Sequence, residues 1–145
     1  MAREDFAFFH TLRVRWAEVD MQGIVFNGHY LTYFDVAFTE YWRATGLPNI
    51  FAQAGEGREM FARKATIEYH SPAHYDDLVD IGVRCAVIGR SSVRFAVEIY
   101  RGDAYLISGE LLYVYADTVE RKGVPVPDDW RAIMTRFEKI PPAVS

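Results

Sequence analysis

The chain has 145 residues, so it fits one domain over residues 1–145 that can bury a core without disulfides. Half of its residues are hydrophobic and 15% are aromatic, which is typical of ordered globular proteins. The net charge of −4, with both signs interspersed, excludes a general nucleic-acid or anionic-membrane role for the whole surface. We therefore expect no nucleic-acid partner and no membrane partner.

The cysteine content and the length of the apolar runs predict the cellular compartment of the protein. Cys85 is the only cysteine, so no intrachain disulfide can form, and its place in an apolar alternation predicts a buried, unreactive thiol. The first ten residues, MAREDFAFFH, lack the apolar run of a signal peptide, and nowhere do about 18 apolar residues stand together. These features predict a soluble, cytoplasmic protein.

The first elements in the chain are a strand and a loop. Residues 8–16 alternate in polarity, which predicts a strand with one mostly polar face. Residues 17–27 then carry Glu18, Asp20 and Gly23 ahead of an apolar Ile-Val-Phe triplet. We interpret this stretch as a polar loop that turns back into apolar surroundings.

A helix that is apolar on nearly every side follows the loop. Its apolar residues are Tyr30, Leu31, Tyr33, Phe34, Val36, Ala37, Phe38, Tyr41, Trp42 and Ala44. Only a narrow edge is polar: Thr32, Asp35, Thr39 and Arg43. Asn27 is the predicted N-cap, and Gly46 is the predicted residue at the helix end. Other elements must enclose such a helix.

The second half of the chain predicts a sheet. A connection at residues 48–58, with one helical turn at residues 51–54, leads to strands near residues 61–70, 79–87, 93–100 and 105–116. The links at residues 89–91 and 101–103 are too short for anything but hairpins, so the sheet is antiparallel. A short amphipathic helix with Trp130, Ile133, Met134 and Phe137 ends the pattern. We predict an α+β fold in which a five-stranded antiparallel sheet, with residues 61–116 as a four-stranded meander, wraps around one long buried helix.

Candidate chemistry concentrates in the loop before the helix. The four histidines lack ligand spacing and there is one cysteine, so neither a metal site nor a cofactor is predicted. Asp20 precedes a buried segment, and a carboxylate beside a partly dry cleft can act as base or nucleophile. Backbone N–H groups at the start of the helix can stabilise an oxyanion there. On this pattern alone, Asp20 is equally a turn former and Asn27 only a cap.

Several short stretches resemble one known family. They are DMQGIVFN at residues 20–27 followed by Tyr30, YHSPA at 69–73, YDD at 75–77, RSS at 90–92 and VPVP at 124–127. Together they resemble the hotdog-fold acyl-CoA thioesterases of the 4-hydroxybenzoyl-CoA thioesterase type, over nearly the whole chain. The resemblance implies that Asp20 is the catalytic carboxylate and that the backbone N–H of Asn27 polarises the thioester carbonyl.

The resemblance also implies where substrate binds. Gly23, His29 and Tyr30 lie in or beside the matching loop; His29 either touches substrate or faces solvent or an interface, and Tyr30 either lines a pocket or belongs to the core. Arg90 is expected to meet coenzyme A phosphates, with help from Ser91, Ser92 and either Arg121 or Lys122, because guanidinium groups bind phosphate through paired hydrogen bonds. Such subunits form homodimers or homotetramers, with active sites at the dimer interface.

The function predicted is hydrolysis of an acyl-CoA thioester to a carboxylic acid and free thiol. One alternative is a non-catalytic acyl-CoA-binding hotdog module, which has no evident need for Asp20. The other is a hotdog enoyl-CoA hydratase, which pairs an Asp with a His five residues on, where this chain has Val25. Four questions stay open: the identity of the acyl group, whether the thiol is coenzyme A or an acyl carrier protein, whether Asp20 is a nucleophile or a general base, and whether the protein is a dimer or a tetramer.

Overall fold

The computed structural model describes residues 2–48 and 57–145. Its elements are β1 (Phe9–Arg13), α1 (His29–Thr45), β2 (Arg58–Tyr69), β3 (Leu78–Ile88), β4 (Ser92–Arg101), β5 (Ala104–Asp117), α2 (Asp128–Phe137) and β6 (Ala143–Val144). Short 3₁₀ turns occupy Arg3–Asp5 and Trp16–Glu18. The helical turn predicted at residues 51–54 lies outside the described residues.

One sheet contains all the strands of the described ranges. Its order is β1-β3-β4-β5-β2 with antiparallel neighbours, and β6 pairs in parallel with β3. Both predicted hairpins are confirmed, since β3 pairs with β4 and β4 with β5. The four-stranded meander is wrong at its first link, because β2 pairs with β5 and forms the edge of the sheet. The connection at residues 70–77 is long enough to carry the chain across to β3.

Two further boundaries differ from the sequence pattern. The first strand ends at Arg13 rather than residue 16, because the 3₁₀ turn at Trp16–Glu18 breaks the alternation. The sixth strand was not predicted, since its two residues are too few to show a period. The terminal helix is confirmed as α2, with Trp130 and Met134 buried.

Helix α1 packs one face on the sheet, and the residues of that face are aromatic or alanine. Its buried residues are Tyr30, Tyr33, Phe34, Ala37, Phe38, Tyr41 and Trp42. Leu31 and Val36, which the sequence placed with the apolar faces, are 45% and 40% exposed and widen the polar edge. Gly46 ends the helix as predicted, with a φ of +82°. The N-cap prediction is wrong by one residue: Gly28 occupies that position, and no side chain caps the helix.

Close approach between α1 and the sheet depends on Gly109 in β5. A Cβ at this position would lie 2.6 Å from Cε2 of Phe34 and 2.1 Å from the carbonyl oxygen of Thr66 in β2. One turn further along α1, Phe38 stacks on Tyr113 of β5 with 4.4 Å between ring centroids. The absence of a side chain at Gly109 therefore sets how near α1 lies to β5 and leaves room for the backbone of β2 beside β5.

A buried carboxylate joins the other end of α1 to the rest of the fold. Glu138, which follows α2, is 7% exposed. Its Oε2 accepts hydrogen bonds from the Tyr41 hydroxyl at 2.5 Å and from the backbone N–H of Cys85 at 2.9 Å. Burial raises the pKa of Glu138, although these two hydrogen bonds and the charge of Arg84 oppose the shift. The cluster ties α1, β3 and the end of α2 together.

The thiol of Cys85 lies in the same region. Cys85 is fully buried, as its place in the alternation predicted. Burial first, and then the nearby charge of Glu138, raise the pKa of this thiol to about 12. The thiol is therefore protonated at neutral pH and shielded from reagents.

The buried Glu138 predicts a pH dependence of stability. A raised pKa in the folded state means that folded protein binds more protons than unfolded chain once the pH exceeds 4.5, the ordinary value. This side chain therefore contributes stability at low pH that is lost as the pH rises through its folded pKa. Glu138→Gln cannot ionise, so its unfolding free energy relative to the natural protein should increase from about pH 4 to about pH 7 in urea titrations.

Asp80→Asn is the matched control for this titration. Partial burial opposes ionisation of Asp80, but hydrogen bonds from Thr11 and Arg3 outweigh it and lower the pKa of Asp80. Asp80 therefore contributes stability above its ordinary pKa that is lost as the pH falls. The Asn variant should lose stability relative to the natural protein as the pH rises from about 3 to about 6, opposite in sign to Glu138→Gln. A flat difference curve for Glu138→Gln would refute the prediction.

Candidate functional site

The loop before α1 is a tight hairpin with Asp20 at its tip. The backbone N–H of Asp20 donates to the Ile24 carbonyl at 2.9 Å, and that of Gly23 donates to the Asp20 carbonyl at 3.0 Å. Oδ1 of Asp20 accepts from the backbone N–H of Gln22 at 2.8 Å, so Asp20 does form the turn. Gly23 has a φ of +77°, a conformation that residues with a Cβ rarely adopt. The predicted dry cleft is not found around Asp20, which is exposed in the single chain.

Hydrogen bonds close this hairpin and hold it against the connection at residues 70–77. Phe26 donates its N–H to the Glu18 carbonyl at 2.9 Å, which closes the base of the hairpin, and Val25 donates to the Ala73 carbonyl at 2.9 Å. Ile24 forms an isolated antiparallel bridge with His74. The loop that carries Asp20 is therefore closed on itself and fixed along one side by backbone contacts.

The start of α1 supplies backbone donors beside the hairpin. His29, the first helical residue, donates its N–H to the Phe26 carbonyl at 3.0 Å. The N–H of Asn27 has no acceptor within residues 2–48 and 57–145, and Asn27 is exposed. The positive end of the helix dipole lies behind it. This N–H group is therefore free to donate to an oxygen of a ligand.

A small groove of about 200 Å³ opens beside Asn27. It is lined by Ile24, Val25, Asn27, Tyr30, Tyr69, His70, Ser71, Pro72 and Ile107. The Tyr30 hydroxyl accepts the backbone N–H of Ala73 at 3.0 Å, so Tyr30 is both part of the core and part of the groove. Burial raises the pKa of Tyr30, which keeps its hydroxyl protonated. His29 packs edge-on against Phe26 and does not line the groove.

The predicted phosphate-binding residues gather at a second place. A groove of about 640 Å³ is lined by Phe61, Ala62, Arg63, Ser91, Ser92, Val114, Ala116, Arg121 and Gly123. Arg90 and Lys122 have exposed side chains next to these residues but are not part of the lining. The carbonyl of Arg90 accepts the N–H of Val126, and that of Lys122 accepts the N–H of Asp117. The backbone of both residues is therefore fixed, and their side chains are free to reach a ligand.

One chain does not bring the two groups of residues together. The hairpin of Asp20 contacts residues 70–77, just before β3 begins, whereas Arg90 to Ser92 follow the end of β3. The eleven residues of β3 separate them, which corresponds to about 35 Å in an extended strand. Asp20, Gly23, Asn27 and Tyr30 belong to the hairpin and the start of α1 and are thus one group, although only Asn27 and Tyr30 of the four line the small groove. Arg90, Ser91, Ser92 and Lys122 are the other group.

A third groove, of about 510 Å³, runs between the exposed edge of α1 and the edge strand β2. It begins at Gly28 next to the first group and reaches Ala62 and Arg63, which also line the second groove. The register of β2 against β5 shifts between Ala62 and Lys64, so Arg63 lies at a β-bulge. The free edge of the sheet therefore carries a depression that connects the surroundings of both groups.

Some lining residues were missed by the sequence analysis. Tyr69, His70, Ser71 and Pro72 stand in the YHSPA stretch, which the sequence singled out only for its resemblance to the family, and that resemblance was the available signal. Arg63 was missed because a bulge does not disturb the period-two pattern enough to be seen in the sequence. Glu18, which is 6% exposed, gave no signal beyond its spacing of three from Arg15.

The described part of the chain shows neither a cluster of metal ligands nor a helix that could span a membrane. Within residues 2–48 and 57–145, no three His, Cys, Asp or Glu side chains lie together as metal ligands would. Neither helix in these ranges has the length and apolarity needed to span a bilayer.

Comparison with known proteins identifies the family. The sequence profile described as "Thioesterase superfamily" matches residues 22–108, more than half of the chain. The chain therefore belongs to the thioesterase superfamily and is a thioester hydrolase. The matched range includes Gly23, Asn27 and the whole of α1, β2 and β3.

Individual relatives agree with this assignment. A protein of Aquifex aeolicus, named only provisionally as an esterase, is 30% identical over 96 residues, covering 66% of this chain and 74% of the relative. The acyl-CoA thioester hydrolase YbgC of Escherichia coli O6:H1 is 27% identical over 136 residues, covering 91% and 96%. A thioesterase from Thermus thermophilus, solved with coenzyme A and zinc, has a TM-score of 0.82 at 23% identity, covering 95% and 98%. The expected hotdog fold is thus confirmed.

The left-handed conformation of Gly23 predicts a separable effect on activity. Gly23→Ala must place a Cβ at φ +77°, which costs about 1–2 kcal/mol or moves the hairpin that carries Asp20. We expect both a lower unfolding free energy and a lower kcat. Gly102→Ala is the control, because Gly102 also has a positive φ with no neighbouring atom within 4 Å, at the distant β4–β5 turn. Equal kcat values for the two variants would contradict the prediction.

Proposed function

We propose that this protein hydrolyses acyl-CoA thioesters to a carboxylic acid and free coenzyme A, with Asp20 as nucleophile or general base. The observation that carries the proposal is that Asp20 stands on a closed hairpin that leads directly into the start of α1, where the N–H of Asn27 has no acceptor within residues 2–48 and 57–145. The groove of about 200 Å³ next to Asn27 would take the acyl group near the thioester. Membership of the thioesterase superfamily supports the reaction class.

The names and bound ligand of relatives support coenzyme A as the thiol part of the substrate. YbgC proteins of Escherichia coli and Haemophilus influenzae carry acyl-CoA names, and the Thermus thermophilus structure contains coenzyme A. In this chain Arg90, Ser91, Ser92 and Lys122 offer cationic and hydroxyl donors around the groove of about 640 Å³. Donors of this kind suit phosphate groups. An acyl carrier protein thioester is the other substrate with the same reacting bond.

The chemistry requires an attack on the carbonyl carbon and loss of a thiolate. If Asp20 attacks, the first step forms a mixed anhydride and releases the thiolate. Water then adds to the Asp20 carbonyl carbon of the anhydride, which releases the carboxylic acid and leaves one water oxygen in the Asp20 carboxylate. If Asp20 is a base, it takes a proton from water as the hydroxyl adds. In both routes the N–H of Asn27 donates to the developing oxyanion. A single turnover in isotopically labelled water separates them, because only the first route leaves label in the Asp20 carboxylate.

The other two functions have less support from the site. A binding module would not need a carboxylate beside an electrophilic carbon. A hydratase would need a proton-transferring group at residue 25, but Val25 is apolar and 1% exposed. Neither alternative would release free thiol from an acyl-CoA, whereas hydrolysis would. The cytoplasmic location stays a prediction.

A complete site is proposed to need two copies of the chain. The two groups of residues lie near opposite ends of β3, a strand of about 35 Å. Strand β2 is a free edge, and a two-fold axis at its centre would place the Phe61 end of one copy next to the Tyr69 end of the other. Asp20 of one copy would then meet Arg90 of the second copy, and the depression between α1 and β2 would be covered. A homodimer, or a tetramer of such dimers, is expected.

Asp20→Asn tests the chemistry. Asparagine keeps an oxygen that can accept the Gln22 N–H, so the turn should persist while the basic oxygen is lost. We expect kcat to fall by about 10²–10⁴ with little change in binding of an unreactive acyl-CoA analogue. Acyl-CoAs with aromatic, short and long acyl groups should be compared, with free thiol detected.

Asp76→Asn is the control for charge near the site. Asp76 is exposed in the connection that contacts the hairpin, and its only ion pair in the described ranges is with Arg13 at 3.4 Å. Its φ of +69° is one that asparagine tolerates. This variant should hydrolyse substrate at nearly the natural rate. Natural kcat in Asp20→Asn would refute the role of Asp20, whatever the control shows.

Mixing two defective variants tests the shared site. Asp20→Asn alone should be inactive, and Arg90→Ala alone should have a raised KM because a phosphate contact acts in ground and transition states alike. In a mixed dimer, one site combines native Asp20 from the Arg90→Ala chain with native Arg90 from the Asp20→Asn chain, whereas the other site carries both substitutions. After subunits exchange in an equal mixture, about a quarter of the natural low-KM activity should return.

The control for this mixture replaces Arg90→Ala with Arg94→Ala. Arg94 lies on β4 close to the same hairpin and is 3.8 Å from Glu110 across the sheet. Arg94→Ala should show natural KM, and its mixture with Asp20→Asn should show only the activity of its own intact sites. A monomer that hydrolyses substrate with natural KM in sedimentation and kinetic measurements would disprove the shared site.

A further inference from the structure

Glu18 is a buried carboxylate at the base of the hairpin that carries Asp20. Its Oε1 accepts the Tyr33 hydroxyl at 2.8 Å and the backbone N–H of Arg15 at 2.8 Å. Its Oε2 accepts Nε of Arg15 at 2.9 Å and a second guanidinium nitrogen of the same residue. Both carboxylate oxygens are therefore fully engaged, and the side chain has one defined orientation.

The backbone of Glu18 fixes the hairpin as well. Its carbonyl accepts the N–H of Phe26, and the following residue, Val19, forms a bridge with Val25. Asp20 comes next, with its N–H donated to the Ile24 carbonyl. Only one residue separates Glu18 from Asp20, so a shift of Glu18 is transmitted directly to the carboxylate of Asp20.

Tyr33 connects this base to the core of α1. Tyr33 is 1% exposed and contacts Tyr30 edge-on, with 5.9 Å between ring centroids. Tyr30 uses its hydroxyl for Ala73, whereas Tyr33 uses its hydroxyl for Glu18. The first two turns of the helix thus hold, through adjacent tyrosines, both segments that flank the groove beside Asn27.

Stability alone is a weak reason for such an arrangement. The ion pair contributes little because the side chain of Arg15 is 74% exposed, and taking the charge of Glu18 out of water is unfavourable. Hydrogen bonds of defined direction fix geometry in a way that apolar contacts do not. Partial burial opposes ionisation of Glu18, but the hydrogen bonds from Arg15 and Tyr33 outweigh it and lower the pKa of Glu18. The carboxylate therefore keeps its charge at neutral pH.

We infer that Glu18 is a positioning residue, which holds the carboxylate of Asp20 at the start of α1 through the hydroxyl of Tyr33. The inference rests on the proposed role of Asp20. It assigns the Arg15–Glu18–Tyr33 cluster to the orientation of the reacting group, not to contact with substrate.

Tyr33→Phe tests the inference, because it removes one hydroxyl and keeps the ring in the core. We expect kcat to fall by about tenfold with KM changed by less than about twofold, since a misplaced catalytic group affects the transition state. Hydrogen exchange should become faster for the amides of Asp20 and Phe26. Both quantities are measured on the full chain.

Tyr41→Phe is the matched control on the same helix. Its hydroxyl also donates to a buried carboxylate, Glu138, at 2.5 Å, but at the opposite end of α1. The melting temperature should fall by a similar amount in both variants. Only Tyr33→Phe should lower kcat and speed hydrogen exchange of the hairpin amides. Equal kcat in both variants at equal folded fraction would overturn the inference.

A second pair covers the case in which Tyr33→Phe does not fold. Glu18→Gln keeps Oε1 as an acceptor for Tyr33 and should retain most of kcat, whereas Glu18→Ala should lose about tenfold or more. The same kcat in both would also overturn the inference.

Failure of the proposed function is recognised separately. If Asp20→Asn keeps its activity, the proposed chemistry is wrong, whatever happens to Tyr33→Phe. If Asp20→Asn is inactive, adding Tyr33→Phe to it should cause no further loss of kcat, because the two act through the same group. A further tenfold loss in the double variant would mean that Tyr33 acts elsewhere and would overturn the inference.

Discussion

Packing of the aromatic face of α1 on the sheet is the constraint from which the other features follow. Seven residues of the helix are buried, and the burial of each large side chain contributes about 1.5–3 kcal/mol. Gly109 permits Phe34 to approach β5, and Phe38 stacks on Tyr113 further along. Once these contacts fix the axis of α1, the place where its first N–H groups emerge is fixed too.

The three buried tyrosines of α1 add direction to this packing. Their hydroxyls reach the backbone N–H of Ala73, the carboxylate of Glu18 and the carboxylate of Glu138. A phenylalanine helix would bury nearly the same area but would leave these segments without a polar connection. The helix therefore acts both as the core and as a frame on which loops from distant parts of the sequence are mounted.

The features that could be predicted from the sequence are those set by local pattern. The apolar period placed α1 to within a residue at each end, and two short links placed both hairpins of the sheet. The pairing of β2 with β5 is a contact between distant segments, and no local signal distinguishes it from pairing with β3.

The candidate site was predicted in part. The motif around Asp20 identified the hairpin and, through its resemblance, the family. Three features depend on three-dimensional geometry: Asp20 is exposed, Gly28 rather than Asn27 is the N-cap, and the segments of Asp20 and Arg90 lie at opposite ends of β3. The sequence pattern likewise gave no reason to single out Glu18 or Tyr33, because a buried polar pair looks like any surface pair in the sequence.

Burial of Cys85 has a practical consequence for enzymology. It is the only cysteine, it is shielded from solvent, and burial raises its pKa to about 12. Disulfide dyes that report a released thiol react with thiolates, so folded protein adds almost no background to such an assay. The colour formed then counts product molecules alone. A slow rise in dye reactivity without substrate would instead report unfolding, so the same reagent monitors both turnover and the integrity of the enzyme.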